Sequence, residues 1–246
     1  LKGDKKGMFR FNPGKEQKTF PDYNPYTISH CRNCDLAKGK MSLAKPLNCD
    51  ECRACSLIRG SQKVQNIKLY ESLVKNKDYR NVYLDEKSYG VMAIHKQHLQ
   101  SSDGEQIILK GFTGKDLELE CMSIICVKGG SCILEKEKVR LGGKWIACLD
   151  ATILGNKMDI ASITQNNKNT VFNAITRKEE QLLAYNSAFK GNAHYLALYF
   201  HEADMFNIAD VKSAFIRYSK HPNYEHAIDT IICIVNDDSS DIMTIK

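Results

Sequence analysis

Residues 145–164, WIACLDATILGNKMDIASIT, form the stretch that decides the fold of this chain. Two apolar segments, 146–154 and 158–164, predict two extended strands joined at Gly155, Asn156 and Lys157. Asp150 lies in the first segment and Asp159 in the second. Because hard cations prefer oxygen ligands held on a rigid frame, two carboxylates on adjacent strands are suited to a divalent metal ion. The alternative interpretation is a pair of solvated acidic residues at a strand edge.

Strands and helices alternate on both sides of this stretch. Upstream, apolar spacing predicts a helix at 63–76, a pair of strands within 81–94, a helix at 113–128 and a strand at 131–135. Downstream, a polar loop at 165–170 precedes a helix at 171–185, a strand at 194–201, a helix at 207–219, and strands at 227–236 and 242–246. This order predicts an α+β (mixed α/β) fold with a central mixed sheet flanked by helices.

The composition is that of a soluble globular protein, with 43% apolar and 26% charged residues among 246. No apolar run reaches the length that crosses a bilayer, so we expect no membrane span. The net charge of +6 is unevenly divided, because residues 1–80 hold 17 basic against 8 acidic residues and residues 81–246 hold 18 against 21. The basic first part favours a polyanionic partner such as nucleic acid. The chain begins at Leu1, and we expect it to be part of a longer polypeptide.

Two Cys-x-x-Cys pairs predict a zinc site near the N-terminus. Cys31 and Cys34 form the first pair, Cys52 and Cys55 the second, and Cys49 could replace one of these four. Four thiolates at this spacing suit the tetrahedral geometry of structural zinc and leave no open position for catalysis. The alternative is five unrelated free thiols. The other five cysteines lie singly in apolar segments, as expected for reduced thiols in a reducing compartment.

These features divide the chain into four parts. We predict an irregular arm at 1–28, a small zinc-binding module at 29–60, a connecting helix at 61–80 and an α/β domain at 81–246. The arm holds three of the five prolines and shows no sustained periodicity. The candidate metal-binding aspartates belong to the last of these parts.

Further polar residues near the ends of elements are candidates for the same site. Two histidines, His95 and His98, follow the predicted strand at 89–94 and suit a metal ion or a phosphate, or are simply a polar strand end. In the helix at 113–128, Glu118 shares a face with the apolar residues, whereas Glu120 lies about 200° away on the helical wheel. The polar loop and helix start suit a phosphate oxygen through Asn167, Lys168, Asn169 and Thr170.

The order of these elements resembles the core of the PD-(D/E)xK nuclease superfamily. Residues from about 89 to the end are similar to the C-terminal nuclease toxins of contact-dependent growth inhibition systems, many of which cleave tRNA. The matching features are 95–98 (HKQH), the glutamate-bearing helix followed by two glycines and a strand, Asp150, 158–161 (MDIA) and 167–170 (NKNT). Residues 26–58 are similar to a linker in Bacteroidetes phage head-morphogenesis proteins of the MuF type.

The resemblance implies a metal-dependent nuclease toxin domain that cleaves RNA, with tRNA preferred, or DNA as an alternative for the same fold. It implies that Asp150 and Asp159 bind Mg²⁺ or a related ion, and that Glu118 or Glu120 completes the metal shell or orients water. Its partners would be RNA and an immunity protein, and it would act in the bacterial cytoplasm after delivery. The residues implied in contact with substrate are Lys168, Asn167, Asn169, Thr170 and Lys157.

The chain departs from the superfamily pattern at Ala161, where a catalytic lysine is expected two residues after Asp159. Three explanations of Ala161 remain open. Lys157 or Lys168 supplies the charge from a nearby position, the lysine was removed to make a toxic protein expressible, or the domain is naturally inactive. A non-catalytic protein of the phage head or virion is therefore one alternative. Another is a metal-independent RNase that uses His95 or His98 as general acid and base.

Overall fold

The computed structural model of the chain describes residues 53–99, 114–165, 167–237 and 242–246, with the backbone alone at 53–59, 99, 114–116 and 168. The predicted arm at 1–28 lies outside these residues, as do Cys31, Cys34, Cys49 and Cys52. Cys55 is described in its backbone only. The zinc site therefore stays a prediction.

Four α-helices and ten strands follow one another along the described residues. The helices are α1 (Arg53–Lys75), α2 (Gly114–Val127), α3 (Lys168–Phe189) and α4 (Ile208–Ser219). The strands are β1 (Tyr79–Leu84), β2 (Val91–His95), β3 (Ser131–Leu134), β4 (Lys138–Leu141), β5 (Lys144–Ala147), β6 (Ala151–Ile153), β7 (Asn156–Ile163), β8 (Tyr195–Phe200), β9 (Thr230–Val235) and β10 (Met243–Ile245). None of the helices in this part of the chain is long and apolar enough to cross a membrane.

Eight of the strands form one mixed sheet in the order β1-β2-β3-β6-β7-β8-β9-β10. The pairs β2/β3, β7/β8 and β8/β9 are parallel, and the other neighbouring pairs are antiparallel. β8 and β9 are buried along nearly their whole length, as their continuous apolar sequences YLALYF and TIICIV predict for central parallel strands. The predicted α+β fold, with a central mixed sheet flanked by helices, is confirmed.

The helices cover the two faces of this sheet in different ways. On one face, α2 packs Met122 and Ile125 into a cluster that contains Met158 of β7. On the other face, α3 and α4 cover β7 to β9 around Ala161, and α1 covers the first strands around Ala93. The short strand β6 lies between these two covered areas, and this is where the candidate site forms.

The stretch at 145–164 contains three strands instead of two. β5 ends at Ala147 and pairs with β4 in a separate hairpin that the sequence analysis did not predict, so the continuous strand expected at 146–154 is wrong. The turn between β6 and β7 consists of Leu154 and Gly155, with φ of 50° and 81°. Two residues with positive φ match the twist of the flanking strands and fix their pairing.

Candidate active site

Backbone hydrogen bonds across the β6–β7 hairpin fix the carboxylates of Asp150 and Asp159. The backbone N–H of Asp150 donates to Asp159 Oδ1 at 3.1 Å, and the backbone N–H of Ile160 donates to Asp150 Oδ2 at 2.9 Å. The register that pairs Ala151 with Met158 makes both hydrogen bonds possible. Each carboxylate therefore has a fixed position before any ligand binds.

Lys178 of α3 joins these two carboxylates, and we refer to Asp150, Asp159 and Lys178 as the carboxylate–lysine cluster. The lysine Nζ lies 3.1 Å from Asp150 Oδ2 and 3.5 Å from Asp159 Oδ2. The exposed fraction of the side chain is 11% for Lys178, 25% for Asp150 and 3% for Asp159. Because burying charges costs free energy that pairing offsets only in part, such a cluster is typical of a functional site.

Burial and a neighbouring charge raise the pKa of Asp159. Loss of solvent is the largest cause and the charge of Asp150 adds to it, whereas Lys178 opposes both, so the pKa is about 6. Asp159 Oδ2 has no hydrogen-bond partner among the described residues, although the Lys178 ammonium is close. One ammonium group neutralises only one of the two carboxylates, so a further cation would stabilise the cluster.

The two aspartates line a strongly acidic pocket of about 440 Å³. Glu135 is fixed in it by Thr152, whose Oγ1 donates to Oε1 at 2.5 Å, and by Tyr79, whose hydroxyl donates to Oε2 at 3.0 Å. A pocket of this kind attracts cations and repels a free phosphate. The acidic residues that line it are Glu118, Glu135, Glu137, Asp150, Asp159 and Glu180.

The structure separates the two glutamates between which the sequence left a choice. Glu118 lines the pocket together with both aspartates. Glu120 instead contacts residues that follow β8 and β9. Its Oε2 lies 2.7 Å from His201 Nδ1, and its Oε1 accepts a hydrogen bond from Asn236 at 3.0 Å. Only Glu118 is therefore placed to act with the aspartates.

His98, but not His95, is among the residues that line the pocket. Its Nε2 contacts the carbonyl oxygen of Glu135, which can only accept a hydrogen bond, so Nε2 carries the ring proton. Nδ1 lies 3.6 Å from Glu137 Oε1 and has no hydrogen-bond partner among the described residues. His95 packs edge-on against Tyr79 with ring centroids 5.5 Å apart, and burial lowers its pKa.

The predicted phosphate loop is largely the first turn of α3. Asn167 caps this helix, because its side-chain oxygen accepts a hydrogen bond from the backbone N–H of Thr170 at 2.8 Å. Asn169 Oδ1 accepts a hydrogen bond from Arg217 at 3.2 Å. The structure thus gives Asn167 and Asn169 contacts within the protein and does not bring them into the lining of the pocket.

Neither lysine suggested by the sequence is observed at the aspartates. At 1.5 Å per residue, the cap of α3 lies about 16 Å along the helix axis from Lys178, and the side chain of Lys168 lies outside the described residues. Lys157 is exposed on β7, where it pairs with Thr152 of β6. Phosphate contact by Lys168 or Lys157 therefore stays a prediction.

Sequence reasoning missed Lys178, the cation that the structure places at the aspartates. Ala161, the superfamily's lysine position, is 1% exposed and packs in the core beneath α3. The positive charge therefore comes from the facing helix and not from the strand. The signal was a lysine within the apolar stripe of α3, in which Val171, Ile175, Lys178 and Leu182 follow at intervals of three or four.

No family model matches the chain, and no curated protein matches it. Among solved structures, the CdiA-CT/CdiI toxin and immunity complex from Burkholderia pseudomallei is similar to this chain, with 19% sequence identity and a TM-score of 0.35. The match covers 60% of this chain and 96% of that chain.

Proposed function

We propose that this chain contains a metal-dependent phosphodiesterase, a nuclease domain that cleaves RNA. The observation that carries the proposal is the carboxylate–lysine cluster, in which Lys178 lies within 3.5 Å of two aspartates that line an acidic pocket. Hydrolysis of a phosphodiester needs an activated water and stabilisation of the charge on the phosphate oxygens. Two fixed carboxylates with a nearby ammonium group are suited to both requirements.

The residues of the pocket suit a magnesium ion, which needs only one or two protein ligands, better than a metal ion that is held by side chains alone. No group of three or more His, Cys, Asp or Glu side chains is arranged to hold a metal ion in the described part of the chain. Mg²⁺ keeps several waters and binds through one or two carboxylates and the phosphates of a substrate, which matches Asp150 and Asp159. A buried carboxylate oxygen normally accepts a hydrogen bond, and Asp159 Oδ2 accepts none among these residues, its nearest cation being the Lys178 ammonium at 3.5 Å. When bound, the ion would lower the pKa of a water and neutralise phosphate oxygens.

The chain's own residues prepare the site for this chemistry. Asp150 and Asp159 would hold the ion, and their hydrogen bonds to the backbone mean that little reorganisation is needed during the reaction. Lys178 lowers the pKa of Asp159 and so favours its ionised form near neutral pH. Glu118 lines the same pocket and is the candidate for orienting the attacking water.

Several parts of the proposal rest on the sequence resemblance alone. These are tRNA as the preferred substrate, the toxin role, the immunity protein as a partner, and action in the bacterial cytoplasm after delivery. The structural zinc at the N-terminal cysteines is a separate proposal, which rests on the spacing of the two Cys-x-x-Cys pairs. The non-catalytic virion protein stays the alternative that Ala161 suggested, and the position of Lys178 supports the nuclease proposal because the charge can come from α3 instead of the strand.

A cleavage assay tests the proposed activity. We expect the chain to cut total tRNA in the presence of Mg²⁺ or Mn²⁺, to lose activity in EDTA, and to regain it when Mg²⁺ returns. Asp150→Asn and Asp159→Asn should each reduce the rate by about 100-fold or more. Asp229→Asn is the matched control, because 65% of that side chain is exposed and Asp229 is not among the residues that line the pocket. If neither tRNA nor plasmid DNA is cut, the proposal is wrong.

Ala161→Lys, which restores the superfamily pattern, gives an independent test. A lysine at this position would bury a charge in the core, so we expect a loss of several kcal/mol in unfolding free energy. We expect no gain in cleavage rate, because Lys178 already supplies the positive charge. Thermal unfolding and the same tRNA assay measure the two effects, and a rate above that of the unmodified chain would contradict our assignment of Lys178.

A metal-independent RNase is the second candidate function, and His98 is the observation that favours it. Its Nδ1 is buried, lacks a hydrogen-bond partner among the described residues and lies near Glu137 in the pocket. With the proton on Nε2, Nδ1 could accept a proton from a ribose 2′-hydroxyl. This mechanism predicts cleavage of RNA that survives EDTA and is lost in His98→Gln, whereas DNA stays intact.

A further inference from the structure

The hairpin of β4 and β5 stands apart from the eight-stranded sheet. Its register pairs Lys138 with Ala147, and Arg140 with Trp145. Paired residues of antiparallel strands point to the same side and alternate along each strand, so these four side chains share one face of the hairpin. We call this set, Lys138, Arg140, Trp145 and Ala147, the hairpin face.

Trp145 gives the hairpin face an exposed aromatic ring. The residue is 62% exposed, and the Lys138 ammonium lies 5.4 Å from its ring centroid. A tryptophan that serves only the core would be buried, because its large apolar surface gains free energy when removed from water. The ring stays largely uncovered, so a planar ligand can stack on it beside Lys138 and Arg140 of the neighbouring strand.

The hairpin is also the rim of the acidic pocket. Ile146, Ala147 and Cys148 line that pocket, and the backbone N–H of Cys148 donates to Glu137 O at the base of the hairpin at 2.8 Å. Ala147 belongs to both the hairpin face and the pocket lining, so the two surfaces are continuous. A ligand stacked on Trp145 therefore lies beside the entrance to the carboxylate–lysine cluster.

The charges of the two surfaces are opposite. The pocket is lined by six carboxylates and repels phosphates, whereas every charged residue of the hairpin, 138–147, is basic. A polyanion would approach this part of the protein through the hairpin, since attraction between opposite charges also guides the encounter. These basic residues are Lys138, Arg140 and Lys144.

We propose that the hairpin face binds single-stranded nucleic acid, with one unpaired base stacked on Trp145 and neighbouring phosphates paired with Lys138 and Arg140. This inference rests on the proposed nuclease function and specifies the substrate as an unpaired segment. A base inside a duplex is already stacked on both sides, so only an unpaired base offers a free π-face. Cationic side chains around an exposed aromatic ring are the combination that single-strand binding uses.

Fluorescence measures this contact directly, because Trp145 is the chain's only tryptophan. The full chain in EDTA is titrated with an eight-nucleotide single-stranded RNA, a DNA of the same sequence, the corresponding duplex, and polyphosphate as a charge-only control. We expect saturable quenching by the single strands and little change with the duplex or polyphosphate. The RNA and DNA arms show which single strand binds more tightly.

Substitutions on the two sides of the hairpin provide the controls. Trp145→Ala should weaken binding of the single strand by roughly tenfold or more when measured by fluorescence anisotropy of a labelled oligonucleotide. Trp145→Phe should keep most of the affinity. Leu141→Ala is the matched control, because Leu141 is 41% exposed and its register position places it on the opposite side of the hairpin. Its affinity should equal that of the unmodified chain.

The outcomes separate this inference from the proposed nuclease function. Binding in EDTA does not require turnover, so single-strand quenching without any cleavage would leave the hairpin assignment standing and overturn the nuclease proposal. Cleavage with unchanged binding and rate in Trp145→Ala would overturn the hairpin assignment alone. Quenching by the duplex equal to that by the single strand would also overturn it. If Trp145→Ala abolishes binding of a partner protein and leaves nucleic acid binding unchanged, the hairpin face is a protein interface instead.

Discussion

Lys178 is an unusual residue for the side of a helix that faces a sheet. Apolar side chains precede and follow it on the same stripe of α3, and only 11% of its side chain is exposed. Two carboxylates and one ammonium group leave a net negative charge in a poorly solvated place, and an apolar residue of similar size would often stabilise the fold more. A cluster that lowers stability in this way is consistent with the proposed phosphodiesterase function.

Lys178→Met tests this assignment. We expect the rate to fall by about 100-fold or more, because the charge next to the reacting phosphate is lost while the length of the side chain is kept. Lys178 also lowers the pKa of Asp159. The acidic limb of the pH–rate profile should therefore move to higher pH, which a loss of packing alone would not cause. Arg177→Met, an exposed cation one residue earlier, is the control and should retain both the rate and the profile.

Asp159→Asn should stabilise the protein while it abolishes activity. The native pKa of Asp159, about 6, lies above its ordinary value of 3.8, so the folded state resists ionisation of this carboxyl group. Stability is therefore lost as the pH rises from about 4 through 6. In EDTA at pH 7.5, we expect the free energy of unfolding of the variant to exceed that of the unmodified chain by about 1 to 3 kcal/mol.

This advantage of Asp159→Asn should shrink as the pH falls from 6 towards 4, since Asp159 becomes protonated in the folded protein. Urea unfolding followed by circular dichroism at several pH values measures it. Comparing the two proteins at each pH cancels the titration of the groups that do not interact with Asp159, which leaves Asp159 and its neighbours Asp150 and Lys178. A difference that does not depend on pH would contradict the raised pKa.

At the scale of elements, the turn formed by Leu154 and Gly155 determines whether the site exists. A shift of one residue in the β6–β7 register would move Asp159 to the opposite face, towards α2 and away from Lys178. Both turn residues have positive φ, and glycine adopts this conformation without the steric cost that a side chain brings. The turn is thus as much a part of the site as the carboxylates.

Two glycine substitutions should have opposite effects on stability. Gly155→Ala should lower the unfolding free energy by about 1 to 2 kcal/mol, because φ is 81° there. Gly60→Ala should raise it by about 0.5 to 1 kcal/mol, because Gly60 lies within α1 and an added Cβ would meet nothing within 4 Å. Urea unfolding measures both. A Gly155→Ala variant that is as stable as the unmodified chain would contradict the role of the turn.

Most elements were predictable from local sequence, and the errors have identifiable causes. The buried strands β8 and β9 and the helix α4 carry long apolar patterns that fix their type. The β4–β5 hairpin is not evident from the pattern although Gly142 and Gly143, both with positive φ, separate its strands, because only 138–141 (KVRL) alternates and 144–147 (KWIA) does not. The apolar residues from 146 onwards predict one strand, because Asp150 alone interrupts their hydrophobicity and does not mark the break at 148–150.

At the scale of the whole molecule, the site depends on contacts that no local pattern contains. Glu118 comes from α2, His98 from the turn after β2, and Lys178 from α3, and the order of strands in the sheet brings them near the aspartates. The residue types pointed to metal and phosphate chemistry. Only the fold shows which of the candidate residues lie together, for example that Glu118 and not Glu120 lines the pocket.

The N-terminal cysteines give a prediction for the chain as a whole. We expect one zinc ion per chain by elemental analysis, lost in Cys31→Ser and in Cys55→Ser because structural zinc needs all four thiolates. Cys148→Ser, in the pocket, should keep the zinc. Native protein without bound metal and with all five N-terminal thiols reactive towards a thiol reagent would contradict the prediction.

The two-residue turn has a consequence for the order of folding events. It brings Asp150 and Asp159 together through a short loop, and hairpins of this kind close in microseconds. Two like charges oppose that closure until Lys178 arrives, which requires α3 to dock on β7. Formation of the hairpin and docking of the helix are therefore coupled, and we expect both to be present in the transition state. In rate measurements, substitutions in either element should slow folding more than they accelerate unfolding.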